Sequence, residues 1–237
     1  MPSRLRLALV FLASLLIFSV YLFPASLILS RLDGVRVAGS PLQLNAVSGR
    51  IWAGQVQWQW RQLSGTGQWQ SDWRGLMPGL KLDIRGAFGL SGWIGGNGST
   101  LMLQDAELSL PGATLSQIEP RLRLGGQVRA RQLGFDFRDK AVTDASGMLS
   151  YTGGPASWAN QNSVEVPALS GVFTPTPQGA TLDVSSLAGQ RMALGAINGN
   201  VAELKVLRAW AAEIGMSRGG ALDDVIFETS LPLWQSE

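Results

Sequence analysis

Residues 48–60 read SGRIWAGQVQWQW, and this stretch decides the fold class. From residue 55 onward, glutamines alternate with Val56, Trp58 and Trp60. Successive side chains of a β-strand point to opposite faces, so the three apolar residues share one face and the glutamines share the other. Aromatic residues favour strands and bury a large area. The alternation therefore predicts a half-buried strand, and a peptide- or lipid-contacting groove is the alternative interpretation.

The residues just before this strand form a Gly-x-x-Trp-x-Gly block, made of Gly49, Trp52 and Gly54. Glycine has no Cβ atom and adopts backbone conformations that other residues avoid. We expect the two glycines to let the chain turn or bulge tightly beside the indole of Trp52. We treat the block as a candidate contact motif whose role is structural.

The same two-residue period recurs through residues 35–200 and predicts several further strands. The apolar members of these runs are Leu80, Leu82, Ile84, Leu101, Leu103, Leu108, Leu110, Leu122, Leu124, Leu133, Phe135 and Phe137. Glycine-rich segments at 89–99, 146–155 and 175–179 are expected to break the runs. No alternation of strands with helices is visible, so we predict a mostly β protein with an antiparallel, curved or rolled sheet.

One short helix is predicted near the C-terminus. Residues 201–215 carry apolar residues at helical spacing and end on Gly215, a common helix stop. Residues 225–231, VIFETSL, are expected to return to strand.

One hairpin can be predicted in register, in residues 121–132, RLRLGGQVRARQ. A three-residue loop at 125–127 would pair Leu124 with Val128, which keeps apolar residues on one face. Like charges would then oppose one another, so an anion such as a phospholipid headgroup or a partner's acidic patch would be favourable there. A simply solvated face is the alternative. The four arginines that this register places on the outer face are Arg121, Arg123, Arg129 and Arg131.

The N-terminus predicts a membrane anchor. Arg4 and Arg6 precede residues 7–23, which carry no charge and approach the length of about 20 residues needed to span a bilayer. A cleaved signal peptide is the alternative, but the residues near position 24 make a poor cleavage site. The positive-inside rule places the N-terminus in the cytoplasm. We therefore expect residues 1–30 to form a cytoplasmic tip and transmembrane anchor, with the bilayer contacted through residues 7–29. Residues 31–237 would form a periplasmic β domain.

Composition argues against several classes of function. The chain has no histidine and no cysteine, so it lacks the commonest general base, the commonest metal ligand and any disulfide. A net charge of +2 gives no reason to expect nucleic-acid binding. The carboxylate pairs 105/107, 136/139 and 223/224 follow no recognisable catalytic pattern. We predict no catalytic, cofactor or metal site and expect the protein not to be an enzyme.

Several segments together carry a family resemblance. They are Pro24-Ala25, LNAVSGRIWAG (44–54), DWRGLMPGLKLDIRGAFG (72–89), LSLPGATL (108–115), the glycine pair at 125–126 and LRAWAAEIG (207–215). This arrangement resembles type II secretion system protein N over nearly the whole chain. Gly49, Trp52 and Gly54 match its most specific motif.

The resemblance implies a non-catalytic accessory subunit of a bacterial type II secretion system in the cell inner membrane. Its partners would be other secretion subunits in the membrane or periplasm. It implies no cofactor and no catalytic residues. The alternative is a periplasmic protein that binds or transfers lipid or another hydrophobic ligand in an open apolar trough. The two differ in whether the C-terminal helix closes off Trp58, Trp60 and Phe135.

Overall fold

The computed structural model describes residues 22–30, 34, 36–37, 40–139, 141–159, 163–215 and 219–232, together with 11–12 and 14–15. Most of the predicted anchor, residues 7–23, and the predicted cytoplasmic tip lie outside these described residues. Within the described part of the chain, no helix combines the length and the apolar character needed to cross a membrane.

The described residues are mostly strand, as the alternation predicts. The first strands are β1 (Arg36–Val37), β2 (Ser40–Arg50), β3 (Ala53–Trp60), β4 (Leu63–Arg74), β5 (Met77–Gly86), β6 (Gly89–Asn97), β7 (Thr100–Pro111), β8 (Leu122–Leu124) and β9 (Gln127–Arg138). The remaining strands are β10 (Ala141–Tyr151), β11 (Gly154–Trp158), β12 (Val164–Val166), β13 (Leu169–Thr176), β14 (Gly179–Ser186), β15 (Arg191–Asn198), β16 (Val201–Leu207) and β17 (Val225–Pro232). Short helices are α1 (Ala25–Leu29), α2 (Gly112–Ile118) and α3 (Arg208–Glu213).

Two antiparallel sheets contain these strands. The large sheet has fourteen strands in the order β1-β2-β3-β4-β5-β6-β7-β9-β10-β13-β14-β15-β16-β17, and it is not closed. The small sheet has the order β12-β11-β8 and is formed by the two excursions that leave the large sheet after β7 and after β10. The large sheet is therefore a meander in which each strand pairs with the next strand of that sheet.

One face of the large sheet carries an unbroken apolar row, and we call this the inner face. Directly paired residues share a face, and each member of the row pairs with the next across twelve strands. The row is Val56, Gly67, Ile84, Leu90, Leu108, Ala130, Leu149, Gly171, Val184, Ala193, Val206 and Phe227. The sequence alternation places these residues on one side, and the strand pairing joins them into one row across the sheet, although several of the pairs contain bulges.

The sheet bends sharply between β10 and β13. These strands pair only from Gly147 to Tyr151, and the earlier half of β10 instead approaches the β15–β16 turn, where the Val142 N–H donates to the Gly199 carbonyl at 2.9 Å. Val142, Ala145 and Ala180 are buried at this contact. Phe135 and Phe173 meet edge to face across it at 5.8 Å. The inner face of β13–β15 therefore closes on the inner face of β9–β10.

The two ends of the large sheet differ in their connections. We call the near end the one at which the turns β2–β3, β4–β5, β6–β7, β9–β10, β13–β14 and β15–β16 lie. Pro24 forms a bridge with Arg50 at this end, and the Ile51 N–H donates to the Phe23 carbonyl at 3.2 Å. From there α1 packs along β2 toward β1 at the far end. The small sheet, α2 and α3 follow strand ends at the far end.

The predicted hairpin at 121–132 is wrong. β8 pairs with β11 in the small sheet, whereas β9 pairs with β7 and β10 in the large sheet. The Gly125 N–H donates to the Pro155 carbonyl at 2.7 Å, and Gly126 has φ +70°, where a Cβ atom would strike the Gly153 carbonyl. The glycine pair thus carries the chain from one sheet into the other. The hydrogen bonds that the twelve-residue strand β9 makes on both sides stabilise the chain more than a short local hairpin would.

Two further expectations change in part. The helix predicted over 201–215 is confirmed only as α3, because residues 201–207 form β16 and pair with both β15 and β17. The glycine-rich stretch 89–99 breaks the strands only at its end, since β6 runs through residues 89–97 and the β6–β7 turn follows at 98–99. The turn at 175–179 and the strand at 225–231 are confirmed.

Candidate functional site

The Gly-x-x-Trp-x-Gly block forms the β2–β3 turn and its flanks. Gly49 has φ +97°, and a Cβ atom there would strike the backbone of Ala53. The indole of Trp69 lies over Gly54, and its Nε1 donates to the carbonyl oxygens of residues 50 and 51 at 3.2 Å each. Both glycines are therefore required by close approach, and Trp69 is the partner that the sequence motif did not reveal. Trp52 lies in the turn itself, 39% exposed.

Trp58 and Trp60 lie on the inner face near the far end of β3. Trp58 is only 9% exposed, lies over Gly65 and meets Phe88 at 5.2 Å. The guanidinium of Arg61 lies 4.8 Å from the ring of Trp60. α3 packs against β15 and β16, and the aromatic contact of Trp58 is with Phe88. Phe135 is half-buried against Phe173.

The four arginines do not share one ladder. Arg123 in β8 pairs with Ser157 of the small sheet, and Arg121 precedes that strand. Arg129 and Arg131 lie on the outer face of β9, opposite Ser150 and Met148. All four side chains are exposed. The structure therefore splits the predicted cluster into two pairs, because the hairpin that would have joined them does not form.

Arg129 and Arg131 line a shallow outer-face depression of about 390 Å³. Asp83, Arg85 and Glu107 line it too, so the depression carries both signs of charge. Arg85 makes two hydrogen bonds of 2.8 Å to Asp83, and these bonds raise the pKa of the Arg85 guanidinium. The paired charges make this depression a weaker anion site than four unopposed arginines would be.

A larger cavity of about 1230 Å³ opens at the near end. Leu80, Ile94, Leu101 and Phe137 contribute apolar lining from β5, β6, β7 and β9. Polar groups come from the β6–β7, β9–β10 and β15–β16 turns, including one carboxylate, Asp139. The cavity exceeds the usual range of about 300–1,000 Å³ for small-molecule pockets. It is an open cavity with an apolar floor and polar turns around its opening.

Titratable groups in the described part of the chain do not gather into a reactive centre. No group of three or more His, Cys, Asp or Glu residues is placed there to hold a metal. Burial raises the pKa of the Asp136 carboxyl, the facing Asp144 raises it further, and Arg138 opposes both. Asp105 binds Arg74 at 2.7 Å, and Asp224 binds Arg208 at 3.1 Å. These carboxylates are engaged in pairs across strands and loops.

Comparison with protein families shows which family this chain belongs to. The family model of type II secretion system protein N matches residues 40–213, from the start of β2 to the end of α3. The chain belongs to the type II secretion system protein N family. No significant match to a curated protein or to a solved structure is found. The resemblance inferred from the sequence is thereby confirmed, and protein N of the type II secretion system is an export-machine component built here on a meandering sheet.

Proposed function

We propose that this chain is a non-catalytic accessory subunit of the inner-membrane part of a bacterial type II secretion system. The observation that carries the proposal is the family match over residues 40–213, which spans both halves of the large sheet. Residues 1–30 would form the cytoplasmic tip and the single anchor, and residues 31–237 the periplasmic domain. The uncharged run at 7–23 supports that topology. The subunit would act by contact with other secretion subunits.

The free edge of β17 is the surface best suited to such a contact. β17 pairs with β16 and ends the strand order of the large sheet. Val225, Ile226 and Phe227 are between 42% and 54% exposed, so both faces of the edge present apolar side chains. Exposed edge strands accept a partner strand through main-chain hydrogen bonds, and alternate side chains give specificity. A strand from a neighbouring secretion subunit fits these features.

Site-specific crosslinking in cells tests this contact. A photo-crosslinking residue at Ile226 should yield an adduct with a secretion subunit. The same residue at Leu187, which is 79% exposed in the β14–β15 turn, is the matched control. Adducts of equal yield at both positions, or adducts with lipid alone at position 226, would argue against a β17 contact. Loss of secretion on deletion of the gene tests the wider assignment independently.

A second candidate function, binding of a lipid or another hydrophobic ligand, is supported by the near-end cavity. Its apolar floor of Leu80, Ile94 and Leu101 continues into the inner-face row. Trp58 is only 9% exposed and Phe135 is half-buried, so these residues do not line an open trough, and this candidate is supported by the lining of the near-end cavity alone. Acyl chains would be stabilised in such a cavity by burial of apolar surface, at about 25 cal/mol per Å².

Native mass spectrometry of the purified full chain tests the second function. Copurified phospholipid should be lost in Leu101→Glu, because this substitution places a charge on the cavity floor. Val172→Glu is the control, because Val172 is equally exposed, at 49%, and lies on the outer face of β13. Equal lipid occupancy in both variants would show that any copurified lipid lies outside the cavity.

A further inference from the structure

Exposed large apolar side chains gather at one part of the near end. We call this group the apolar rim, and its members are Leu22, Phe23, Trp52, Trp73 and Leu76, which are 48%, 39%, 39%, 64% and 98% exposed. Leu76 is the tip of the β4–β5 turn, and Trp73 lies three residues before it at the end of β4. Packing in the core of the large sheet does not explain why a leucine is almost fully exposed at this turn.

The rim is one connected surface. The Ile51 N–H donates to the Phe23 carbonyl at 3.2 Å, which fixes the entering chain against the β2–β3 turn. The Ser71 N–H donates to the Trp52 carbonyl, which fixes that turn against β4. Strands lie about 4.8 Å apart and rise about 3.3 Å per residue, so the β4–β5 turn lies two strand spacings to the side of the β2–β3 turn and, because β4 continues past its pairing with Ala53 at Gln70, extends beyond it. Three neighbouring chain segments therefore present apolar residues at the same end of the sheet.

The other described turns of the near end have a different composition. The β6–β7 turn is Asn97-Gly98-Ser99, the β13–β14 turn contains Pro177 and Gln178, and the β15–β16 turn is Gly199-Asn200. None of these turns carries a large apolar side chain. The near-end turns that carry large apolar side chains are thus those on the side of the sheet where the N-terminal segment joins it, whereas Leu101 and Leu231, 49% and 63% exposed, lie on strands elsewhere at this end.

The residue types of the rim support a membrane partner. Each apolar turn directly follows an arginine, in Arg50-Ile51-Trp52 and in Arg74-Gly75-Leu76. Tryptophan is favoured at the membrane–water boundary because its ring is apolar and its N–H is polar. Arginines behind such residues lie at the depth of the phosphate groups. Arg74 is bound to the carboxylate of Asp105 at 2.7 Å, so this pair adds little net charge to the surface.

The chain itself indicates where the bilayer lies. The uncharged run of residues 7–23 ends at Phe23, inside the rim, and the following residues run away from the near end toward β1. We infer that the apolar rim is a lipid-contacting surface that inserts into the periplasmic boundary of the same bilayer that holds the uncharged run of residues 7–23, whereas residues 25–29 pack on β2 as α1. The inference rests on the proposed anchor. It fixes the orientation of the sheet, with the near end and its cavity against the membrane.

Dye labelling tests this orientation, and the absence of native cysteine makes single-site labelling possible. The full chain would carry either Leu76→Cys or Leu187→Cys, each labelled with an environment-sensitive dye and incorporated into phosphatidylcholine–phosphatidylglycerol vesicles. Both positions are highly exposed turn residues at opposite ends of the sheet. Quenching by lipids with a spin label on the acyl chain should be several-fold stronger at position 76. The emission at position 76 should also shift to shorter wavelength.

The remaining outcomes overturn the inference in distinguishable ways. If the vesicles hold the protein but position 76 stays as solvent-exposed as position 187, the rim does not contact lipid and the anchor stands. If both positions are quenched alike, the sheet has no fixed orientation. If position 76 is protected only in membranes that also contain the secretion complex, the rim is a protein interface. If the chain does not enter vesicles, the anchor fails too, whereas the β17 crosslink still tests the secretion assignment.

Discussion

The indole of Trp93 lies across Gly79 and fills the space that a side chain at position 79 would need. The ring belongs to β6 and is only 1% exposed, although it lies on the outer face of the sheet. Its Nε1 donates to the Asp72 carbonyl at 3.2 Å, and the guanidinium of Arg74 lies 4.9 Å from the ring. A glycine gap in β5 is thus filled by an aromatic residue of the next strand, which restores the packing that glycine removes.

Gly79→Ala should therefore destabilise the folded chain by about 1–3 kcal/mol, because the added methyl group overlaps the Trp93 ring and forces it to move. The midpoint of urea unfolding in detergent, measured with an unchanged slope, reports this loss. Gly98→Ala is the matched control, since a Cβ at position 98 meets no atom within 4 Å. Equal midpoints for the two variants would contradict the packing of Trp93 on Gly79.

Trp58 gives a second prediction, because its ring is well packed and its N–H is not satisfied. The ring meets Phe88 at 5.2 Å, but the buried Nε1 has no hydrogen-bond partner among the described residues. Trp58→Phe removes the unpaired donor and keeps an aromatic ring, so we expect a change within about 1 kcal/mol. Trp58→Ala leaves a cavity and should cost about 3–5 kcal/mol. A loss well above about 1 kcal/mol in Trp58→Phe, measured by thermal unfolding, would show that the N–H is bonded, and equal losses in both variants would contradict the packing of the ring.

The sequence predicts the large sheet well because its signal is local. Alternation at Val56, Trp58 and Trp60 assigns a face within one strand, and the meander needs only neighbouring strands to pair. The hairpin at 121–132 failed for the opposite reason. Gly125 and Gly126 look like a loop, but their partners are Pro155 and Gly153, which are far away in the sequence. Local pattern cannot distinguish a turn within one sheet from a crossing between two sheets.

Less of the candidate site can be predicted from the sequence. Gly49 and Gly54 were identified as backbone requirements, yet the residue that imposes the second requirement is Trp69 on another strand. The apolar rim was missed because Leu76 and Trp73 look like ordinary members of an apolar pattern. Their exposure becomes visible only when the turns are placed at one end of the sheet. Their position at the same end of the sheet as Phe23 cannot be read from any single segment of the sequence.

Asp136 predicts a pH dependence of stability. Burial and the facing Asp144 raise the pKa of this carboxyl in the folded chain, so the folded state binds the proton more readily than the unfolded state does. The ionised carboxylate is therefore destabilising at neutral pH, and this penalty is relieved as pH falls through the folded pKa toward the unfolded value of about 3.9. Asp136→Asn should be more stable than the natural chain at pH 7, and the difference should vanish near that lower value.

Urea unfolding of both chains between pH 4 and 7 measures this effect, since the sign of the difference is fixed by linkage. Asp223→Asn, which removes an exposed carboxylate in the segment before β17, is the control for the loss of one negative charge. A stabilisation by Asp136→Asn that is independent of pH would mean that shape or hydrogen bonding, and not the charge, is responsible.

Lys205 and Glu228 test the register of the edge strand on which the proposed partner contact depends. The two residues are direct partners across β16 and β17, and the Lys205 Nζ lies 3.1 Å from a Glu228 carboxylate oxygen. Hydrogen bonding to Glu228 raises the pKa of the Lys205 ammonium. Glu228→Lys places like charges opposite each other and should lower the thermal midpoint slightly, more at low salt than at high salt. Adding Lys205→Glu should restore it, because the pair is then reversed and not lost. Additive losses in the double variant would mean that β17 pairs in a different register, and Ile226 would then present a different face to a partner.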